Sequence, residues 1–186
     1  MSDRLNKIVT RGGDKGETSL ADGTRLAKDH PRIALIGDVD ELNSWIGVVI
    51  AHLPAGDLSE LLTGVQHDLF DLGGALAFPD APMLSPNHVA RLDEAAAALN
   101  AGVPPLKEFI LPGGAPVLGF CHLARTGARR VERAMTTYLR IAPEAAHALQ
   151  YLNRLSDVLF IAARVEAKRL GITEIYWRKE NSISAG

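Results

Sequence analysis

Five stretches of the chain repeat apolar residues at the three- and four-residue spacing of an α-helix, and no strands alternate with them. The first runs from Pro31, placed to serve as a first helical residue after Asp29 or His30, to about Leu53, where Pro54 and Gly56 end it. Its apolar face is Leu35, Val39, Leu42, Ile46, Val49 and Leu53. The second starts at Asp57 or Ser59, carries Leu61, Leu62, Val65, Leu69, Leu72 and Leu76, and is broken by Pro79 and Pro82. Ser85 caps the third, with Pro86 at its first position and an end near Asn100. The fourth spans about Ala115 to Leu139. The fifth follows Pro143 and runs to about Leu170, with Gly171 as its stop. Its stripe is Ala145, Ala148, Leu152, Leu155, Leu159, Ala162, Ala163 and Leu170, and Glu166 falls on the same stripe without a firm partner. Short connections between such helices predict an all-α, antiparallel five-helix bundle.

Several features remain once that core is filled. The face of helix 1 opposite its stripe is nearly all small: Gly37, Asp40, Ser44, Gly47 and Ala51. Asn153, Asp157 and Arg164 form a polar face on the far side of helix 5. These two faces suggest a second interface, most simply with other copies of the chain. The Pro- and Gly-rich segment around Phe109-Ile-Leu-Pro-Gly-Gly114 reads as a loop with buried apolar residues, Phe109 among them as a plug over the core. The tail Glu174-Ile-Tyr-Trp-Arg-Lys has no helical pattern and is expected to lie extended against the bundle.

Helix 4 carries the strongest conflict between pattern and charge. Projected at about 100° per residue, Leu118, Cys121, Ala124, Ala128, Val131, Met135 and Leu139 form one apolar arc. Arg125 and Glu132 fall inside that arc, Arg129 on its edge, and Arg130 and Arg133 outside it. A guanidinium aimed towards a core is costly unless a carboxylate or phosphate meets it. Glu132 is the only acid between residues 109 and 143, so the cluster needs long-range carboxylates or a polyanionic ligand. Asp40, on the small face of helix 1, is the expected partner of Arg125. In the N-terminal arm, Gly12, Gly13 and Gly16 permit a tight turn with N–H groups close to a ligand, and Arg11, Lys15, Thr18 and Ser19 add charge and hydroxyls. The spacing is not that of a Walker A loop. So long a polar segment points instead to an arm that closes on a ligand.

Composition narrows the classes. At 186 residues with 47% hydrophobic and 23% charged residues, the chain is most simply one globular domain. A net charge of −2 and 5% aromatics argue against a nucleic-acid partner, so any anion site is local. The single cysteine, Cys121, makes neither an internal disulfide nor a thiolate metal cluster, and reads as a small core residue. No apolar signal core or membrane-length run is present, so no membrane partner is expected and a cytoplasmic location is the default.

Five segments then form a recognisable set, in order: Thr10-Arg-Gly-Gly-Asp-Lys-Gly16, Gly37-Asp-Val-Asp-Glu-Leu-Asn-Ser44, Phe109-Ile-Leu-Pro-Gly-Gly114, Arg129-Arg-Val-Glu-Arg133 and Asn153-Arg-Leu-Ser-Asp157. Together they resemble the PduO-type ATP:cob(I)alamin adenosyltransferase family, from about residue 7 to 179. The resemblance implies a bundle of the ferritin-like, cobalamin adenosyltransferase type in one domain. Residues 1–30 would be an ordered ATP-binding arm, 31–171 the bundle and 172–186 a C-terminal tail. It implies a homotrimer holding ATP and cobalamin where two subunits meet. There cobalt(I) attacks the 5′ carbon of ATP and triphosphate leaves, with Mg²⁺ accompanying the nucleotide and cobalamin as substrate.

By the same resemblance, Thr10, Arg11, Gly12, Gly13, Thr18, Ser19 and Lys28 match positions that wrap ATP, and Asp14 and Gly16 are grouped with them in the motif. Arg129, Arg130, Glu132, Arg133 and Asn153 match the remaining nucleotide positions. Asp40 and Arg125 match a salt bridge between subunits, and Phe109 matches the aromatic that displaces the lower axial base of cobalamin. With Arg129 these form the expected catalytic set. Two positions depart from the pattern: Gly12 stands where threonine is common, and Val131 where alanine is usual.

Two other classes compete. A di-iron carboxylate bundle needs two Glu-x-x-His segments and two further helical glutamates, and only Glu144-Ala-Ala-His147 is present. A non-catalytic nucleotide sensor or cobalamin carrier on the same bundle is the alternative that sequence alone does not separate from the enzyme.

Overall fold

The periodic stripes fold as helices within two residues of their expected ends: α1 Pro31–Ala51, α2 Asp57–Ala77, α3 Pro86–Ala101, α4 Pro116–Tyr138 and α5 Ala146–Arg169. The structure is a computed structural model that describes residues 9, 11–78, 81–140 and 142–179. Thr10 and the chain beyond Lys179 lie outside the described residues. Each boundary has a local cause. His30, at the N-cap of α1, accepts a hydrogen bond from the Arg32 N–H at 3.1 Å, and Pro31 follows at the first helical position. That helix stops at Ala51, ahead of Leu53, because Pro54 disfavours helical backbone at the residue before it. Ser59 Oγ both accepts from the Gly56 N–H and donates to the Gly56 carbonyl, closing the start of α2. The start of α5 is delayed by a 3₁₀ turn over Pro143–Ala145.

In the bundle α4 packs between α1 and α5, while α2 lies on α1 and α3 on α5. The stripes named from sequence supply the core: Leu42 and Ile46, Leu62 and Leu72, Ala124 and Ala128, and Leu152 and Leu155 are all fully buried. Burying each leucine is worth about 1.5–3 kcal/mol. Cys121 is likewise in the core, where burial, aided by the charge of Glu166, pushes its thiol up to about 12. Its role as an inert core residue stands. No helix among the described residues is long and apolar enough to cross a membrane.

Four expectations are corrected or completed. The arm holds a short antiparallel hairpin, β1 Glu17–Ser19 with β2 Arg25–Ala27, in which Thr18 faces Leu26. Its turn uses Asp22, whose side chain accepts from the Thr24 N–H at 2.9 Å, and Gly23 at φ 86°. Three-residue strands are too short to leave an alternation signal, although Asp-Gly is a hairpin turn signal. Glu166 does have a partner: it is buried, and Arg169 Nη2 reaches its carboxylate at 2.7 Å from one turn along α5. Arg164 is not on an open polar face; its side chain is 4% exposed because the tail covers it. The loop 109–114 is not buried either, since Phe109 is 78% and Leu111 49% exposed, so Phe109 is no core plug.

One buried network left no mark in the stripe reading. Asp68, on the apolar side of α2, accepts a 2.6 Å hydrogen bond from the Tyr151 hydroxyl of α5 and is paired with Arg91 of α3. A buried carboxylate is tolerable only with such partners, and this one ties three helices together. The small face of α1 is largely uncovered: Gly37, Asp40, Ser44 and Ala51 are exposed. Gly47 is the exception, since a Cβ there would meet Gln66 Nε2 of α2 at 3.2 Å.

Candidate active site

The arginine row of α4 is met by acids from α1, but in a different register from the one expected. Arg130 Nε lies 3.2 Å from Asp38 Oδ1, and its Nη2 lies 2.5 Å from Glu41 Oε2. Asp38 and Glu41 are three apart and share one side of α1, which puts Asp40 on another. Asp40 is exposed and makes no ion pair within the chain among the described residues. These contacts raise the pKa of Arg130, Glu41 first among the causes, and lower that of Glu41.

Among the described residues no carboxylate meets Arg125, Arg129 or Arg133. Arg125 is half-buried, and its Nε donates to His122 Nδ1 at 3.3 Å. Burial, and then the charge of Arg129, lower its pKa. Arg129 is exposed, and its side chain makes no hydrogen bond or ion pair among the described residues. Arg133 Nη1 donates to the Arg129 carbonyl at 3.0 Å, bracing the next turn. Facing this row, Asn153 Nδ2 of α5 donates to Glu132 Oε1 at 3.0 Å. Two residues 21 apart in sequence are thereby joined at the edge of the cationic row.

The arm forms a second cluster. Arg11 adopts a left-handed φ of 59° and Gly16 one of 80°, and the Gly16 carbonyl accepts from the Lys28 N–H at 2.8 Å. The Lys28 ammonium lies over Gly13 so closely that a Cβ there would meet Nζ at 3.0 Å. A side chain at 13 would push the end of the Lys28 side chain aside by a few tenths of an ångström. Arg25, which the sequence reading passed over, fastens the loop to the hairpin: it donates to the Gly12 carbonyl at 3.1 Å, to Ser19 Oγ at 3.3 Å and to Glu17 at 3.2 Å. Asp14 stays in the same turn, its N–H donating to the Arg11 carbonyl at 3.4 Å, and Thr18 is half-buried in β1. The hairpin itself is tied to the end of α2 by the Ala21 N–H, which donates to the Ala77 carbonyl at 3.2 Å. The bonds of Arg25 and Lys28 thus stay within the arm, and those of Arg125, Arg130 and Glu132 stay among α1, α4 and α5.

Phe109 projects from the loop before α4. Beside it lies an apolar cleft of about 190 Å³, floored by Leu118, Ala163 and Ile172, with His122, Thr173 and Glu174 as its polar members. Because His122 Nδ1 accepts from Arg125, the neutral ring carries its proton on Nε2. Burial, then the charge of Arg125, lower the His122 pKa against an opposing pull from Glu174. His122 therefore touches both the arginine row and the cleft beside Phe109, a link that neither periodicity nor motif had indicated.

A family model described as cobalamin adenosyltransferase matches residues 8–166. The chain belongs to the cobalamin adenosyltransferase family. A relative from Cupriavidus metallidurans, named cobalamin adenosyltransferase, is 48% identical over 187 residues, covering 97% of this chain and 98% of the relative. A corrinoid adenosyltransferase of Bacillus subtilis is 41% identical over 180 residues, covering 93% of each. A solved structure of a PduO-type ATP:corrinoid adenosyltransferase variant from Lactobacillus reuteri, complexed with cobalamin and ATP, superposes with a TM-score of 0.85 at 34% identity. It covers 93% of this chain and 100% of that one. Such a likeness extends the family assignment from the sequence to the whole bundle.

His122 supplies a pH test of this geometry. Its folded pKa lies below the usual 6.5, so the unfolded chain takes up the proton first as pH falls. Its contribution to stability is complete above about pH 6.5 and is lost as pH drops towards the folded value. Proton NMR of the His122 ring should give a midpoint below 6.5, and His122→Gln should flatten the stability profile in that window. A midpoint at or above 6.5 contradicts the buried, Arg125-bonded ring.

Proposed function

We propose that the protein transfers the 5′-deoxyadenosyl group of ATP to cob(I)alamin, giving adenosylcobalamin and triphosphate, in a homotrimer with its sites between subunits. The observation that carries this reading is the divided state of α4. Arg130 is neutralised by Asp38 and Glu41, whereas Arg125 and Arg129 have no carboxylate among the described residues and stand beside the Glu132–Asn153 pair. An exposed guanidinium left without counter-charge, as at Arg129, suits a polyphosphate, whose oxygens accept strong charge-assisted hydrogen bonds, and the half-buried one at Arg125 suits a carboxylate from another subunit. The names of the relatives point to the same chemistry.

Cobalt(I) is itself a strong nucleophile, so no side chain needs to act as a general base. As the cobalt–carbon bond forms, the bond from the 5′ carbon to oxygen breaks and its electron pair leaves with triphosphate. Arg129 and Lys28 would meet the charge that gathers on that oxygen, together with the turn formed by Arg11, Gly12, Gly13, Asp14 and Gly16. Thr10, Thr18 and Ser19 would add hydroxyl contacts, and Arg130, Arg133, Glu132 and Asn153 would hold the rest of the nucleotide. The protein's main task is then to hold two reactants in line and keep water out.

Among the described residues no group of three His, Cys, Asp or Glu could hold a metal unaided. Mg²⁺ needs no such cage, because it keeps several waters and binds chiefly through phosphate oxygens. Glu132 is the carboxylate of the arginine helix that could add one ligand, and Mg²⁺ would supply further neutralisation of the triphosphate.

The arm and the arginine row are separately braced within one chain, which supports completion of each site by a neighbouring copy. The exposed small face of α1 would permit close approach, with Asp40 reaching the uncompensated Arg125 of another subunit. Phe109, exposed at its loop tip, would stand at the lower face of cobalamin. Removing the donor ligand there makes reduction of cobalt(II) to cobalt(I) easier.

The direct test incubates the protein with ATP, Mg²⁺ and chemically reduced cobalamin and follows the absorbance of adenosylcobalamin. Wild type should form product over many turnovers, which also separates an enzyme from a carrier. Arg129→Ala should lose about a hundredfold or more in rate with its helical signal intact; normal turnover in this variant would put the nucleotide elsewhere. Asp40→Ala should lower activity and shift sedimentation towards smaller species together, because it strands a half-buried arginine. An unaltered trimer with full activity removes the Asp40–Arg125 pairing.

A further inference from the structure

An exposed aromatic needs something other than the core to fix its position. Phe109 is 78% exposed, so packing does not hold its ring; only its backbone does. That backbone is held by the tail. The Trp177 N–H donates to the Phe109 carbonyl at 2.7 Å, the Leu111 N–H donates to the Ile175 carbonyl at 2.8 Å, and Ile110 bridges antiparallel to Tyr176. Two residues on, Gly113 and Gly114 have φ of 140° and 101°, and a Cβ on Gly114 would meet Ile172 Cγ2 of the tail at 3.1 Å. Loop and tail are thus fitted closely into one strap.

The strap is in turn fastened to the bundle by a buried ion pair. Arg164 of α5, its side chain 4% exposed, reaches Glu174 Oε1 with Nε at 2.9 Å and Oε2 with Nη2 at 3.3 Å. The same Nη2 donates to the Pro104 carbonyl at 2.8 Å, at the start of the segment that leads to Phe109. One buried guanidinium therefore ties α5, the entry to the loop and the tail that pairs with it. Nearer the helix end the tail is also tethered by the Ile172 N–H, which donates to the Ala167 carbonyl at 2.9 Å. Among the described residues beyond Ile172, Glu174 is the tail side chain bonded to the bundle.

We propose that Arg164 and Glu174 are positioning residues for Phe109: their ion pair fixes the tail that sets the backbone of the exposed aromatic. This deepens the reading above and rests on it for the role of Phe109. Neither residue touches the reacting atoms. Their effect is on where the ring stands, and a displacement of about 1 Å at a reacting centre costs up to a hundredfold in rate.

Glu174→Gln keeps the shape of the side chain and removes its charge, and Arg164→Lys keeps charge but loses the two-pronged contact. Two readouts apply to the full-length protein. Hydrogen exchange at the amides of Leu111 and Trp177 should speed up at least tenfold in Glu174→Gln while the amides in the middle of α1 stay protected. Electron paramagnetic resonance of cob(II)alamin bound with ATP should show retention of the lower nitrogen ligand, alongside a loss of ten- to a hundredfold in adenosylation starting from cobalt(II). ATP affinity should stay within twofold of wild type. Wild-type exchange rates at these amides in both variants would overturn the proposal, as would wild-type loss of the lower ligand with faster exchange. Phe109→Ala is the control that separates the two readings. If it too removes the lower ligand normally, the role assigned to Phe109 fails, and exchange alone decides whether the ion pair holds the strap. Arg164→Lys should fall between wild type and Glu174→Gln, which a general loss of folding would not produce.

Discussion

The constraint on which the rest depends is an incomplete neutralisation of charge on α4. Two carboxylates of α1 meet Arg130 and none meets Arg125 or Arg129, although α1 has a third acid, Asp40, close by in sequence. The helix geometry decides this, because Asp38 and Glu41 are neighbours on one side and Asp40 is not. Among the described residues the fold leaves Arg125, Arg129 and Arg133 without a carboxylate, the first of them half-buried. Stability alone gives no reason for that arrangement. Polyphosphate binding and a contact with another subunit both do.

The same helix connects the two ends of the proposed reaction. His122 accepts from Arg125 on one side and borders the cleft beside Phe109 on the other. The core beneath is rigid where it needs to be, with Asp68, Tyr151 and Arg91 locking α2, α5 and α3 together. On this frame sit two parts that the core does not hold: the arm, braced by Arg25 and Lys28, and the loop of Phe109, braced by the tail. Both bear residues that the family resemblance assigns to ligands, and both are fixed chiefly by charge and backbone hydrogen bonds, with Leu20 the arm's one buried apolar anchor among the described residues.

How much of this was legible in the sequence follows from the range of the interactions. Helices leave a period in the chain, so all five, and the residues that fill the core, could be read from apolar spacing. Partners across the bundle leave none. The need of helix 4 for distant anions was readable from Arg125, yet the choice of Asp38 and Glu41 over Asp40 depended on how α1 is rotated against α4. Arg164 looked like part of an open polar face because nothing in its spacing reveals that a tail will fold over it. Hydrophobicity alone points Phe109 to the core and only the family resemblance puts it at the site, whereas its exposed place is set by a backbone pairing of its loop with Trp177 and Ile175, far along the chain. Glu166 found a partner at Arg169, a local pair that the stripe reading overlooked.

The claim that α4 and the arm grip a polyphosphate is tested most directly by calorimetric titration of the purified protein with ATP, repeated in the presence of inorganic triphosphate. The account predicts saturable binding of ATP that weakens as salt is raised, competition by triphosphate, and a loss of at least tenfold in affinity in Arg129→Ala, as expected for a charge-assisted phosphate contact. A folded protein that gives no binding heat across titrations at different temperatures, even with ATP in large excess, would contradict it.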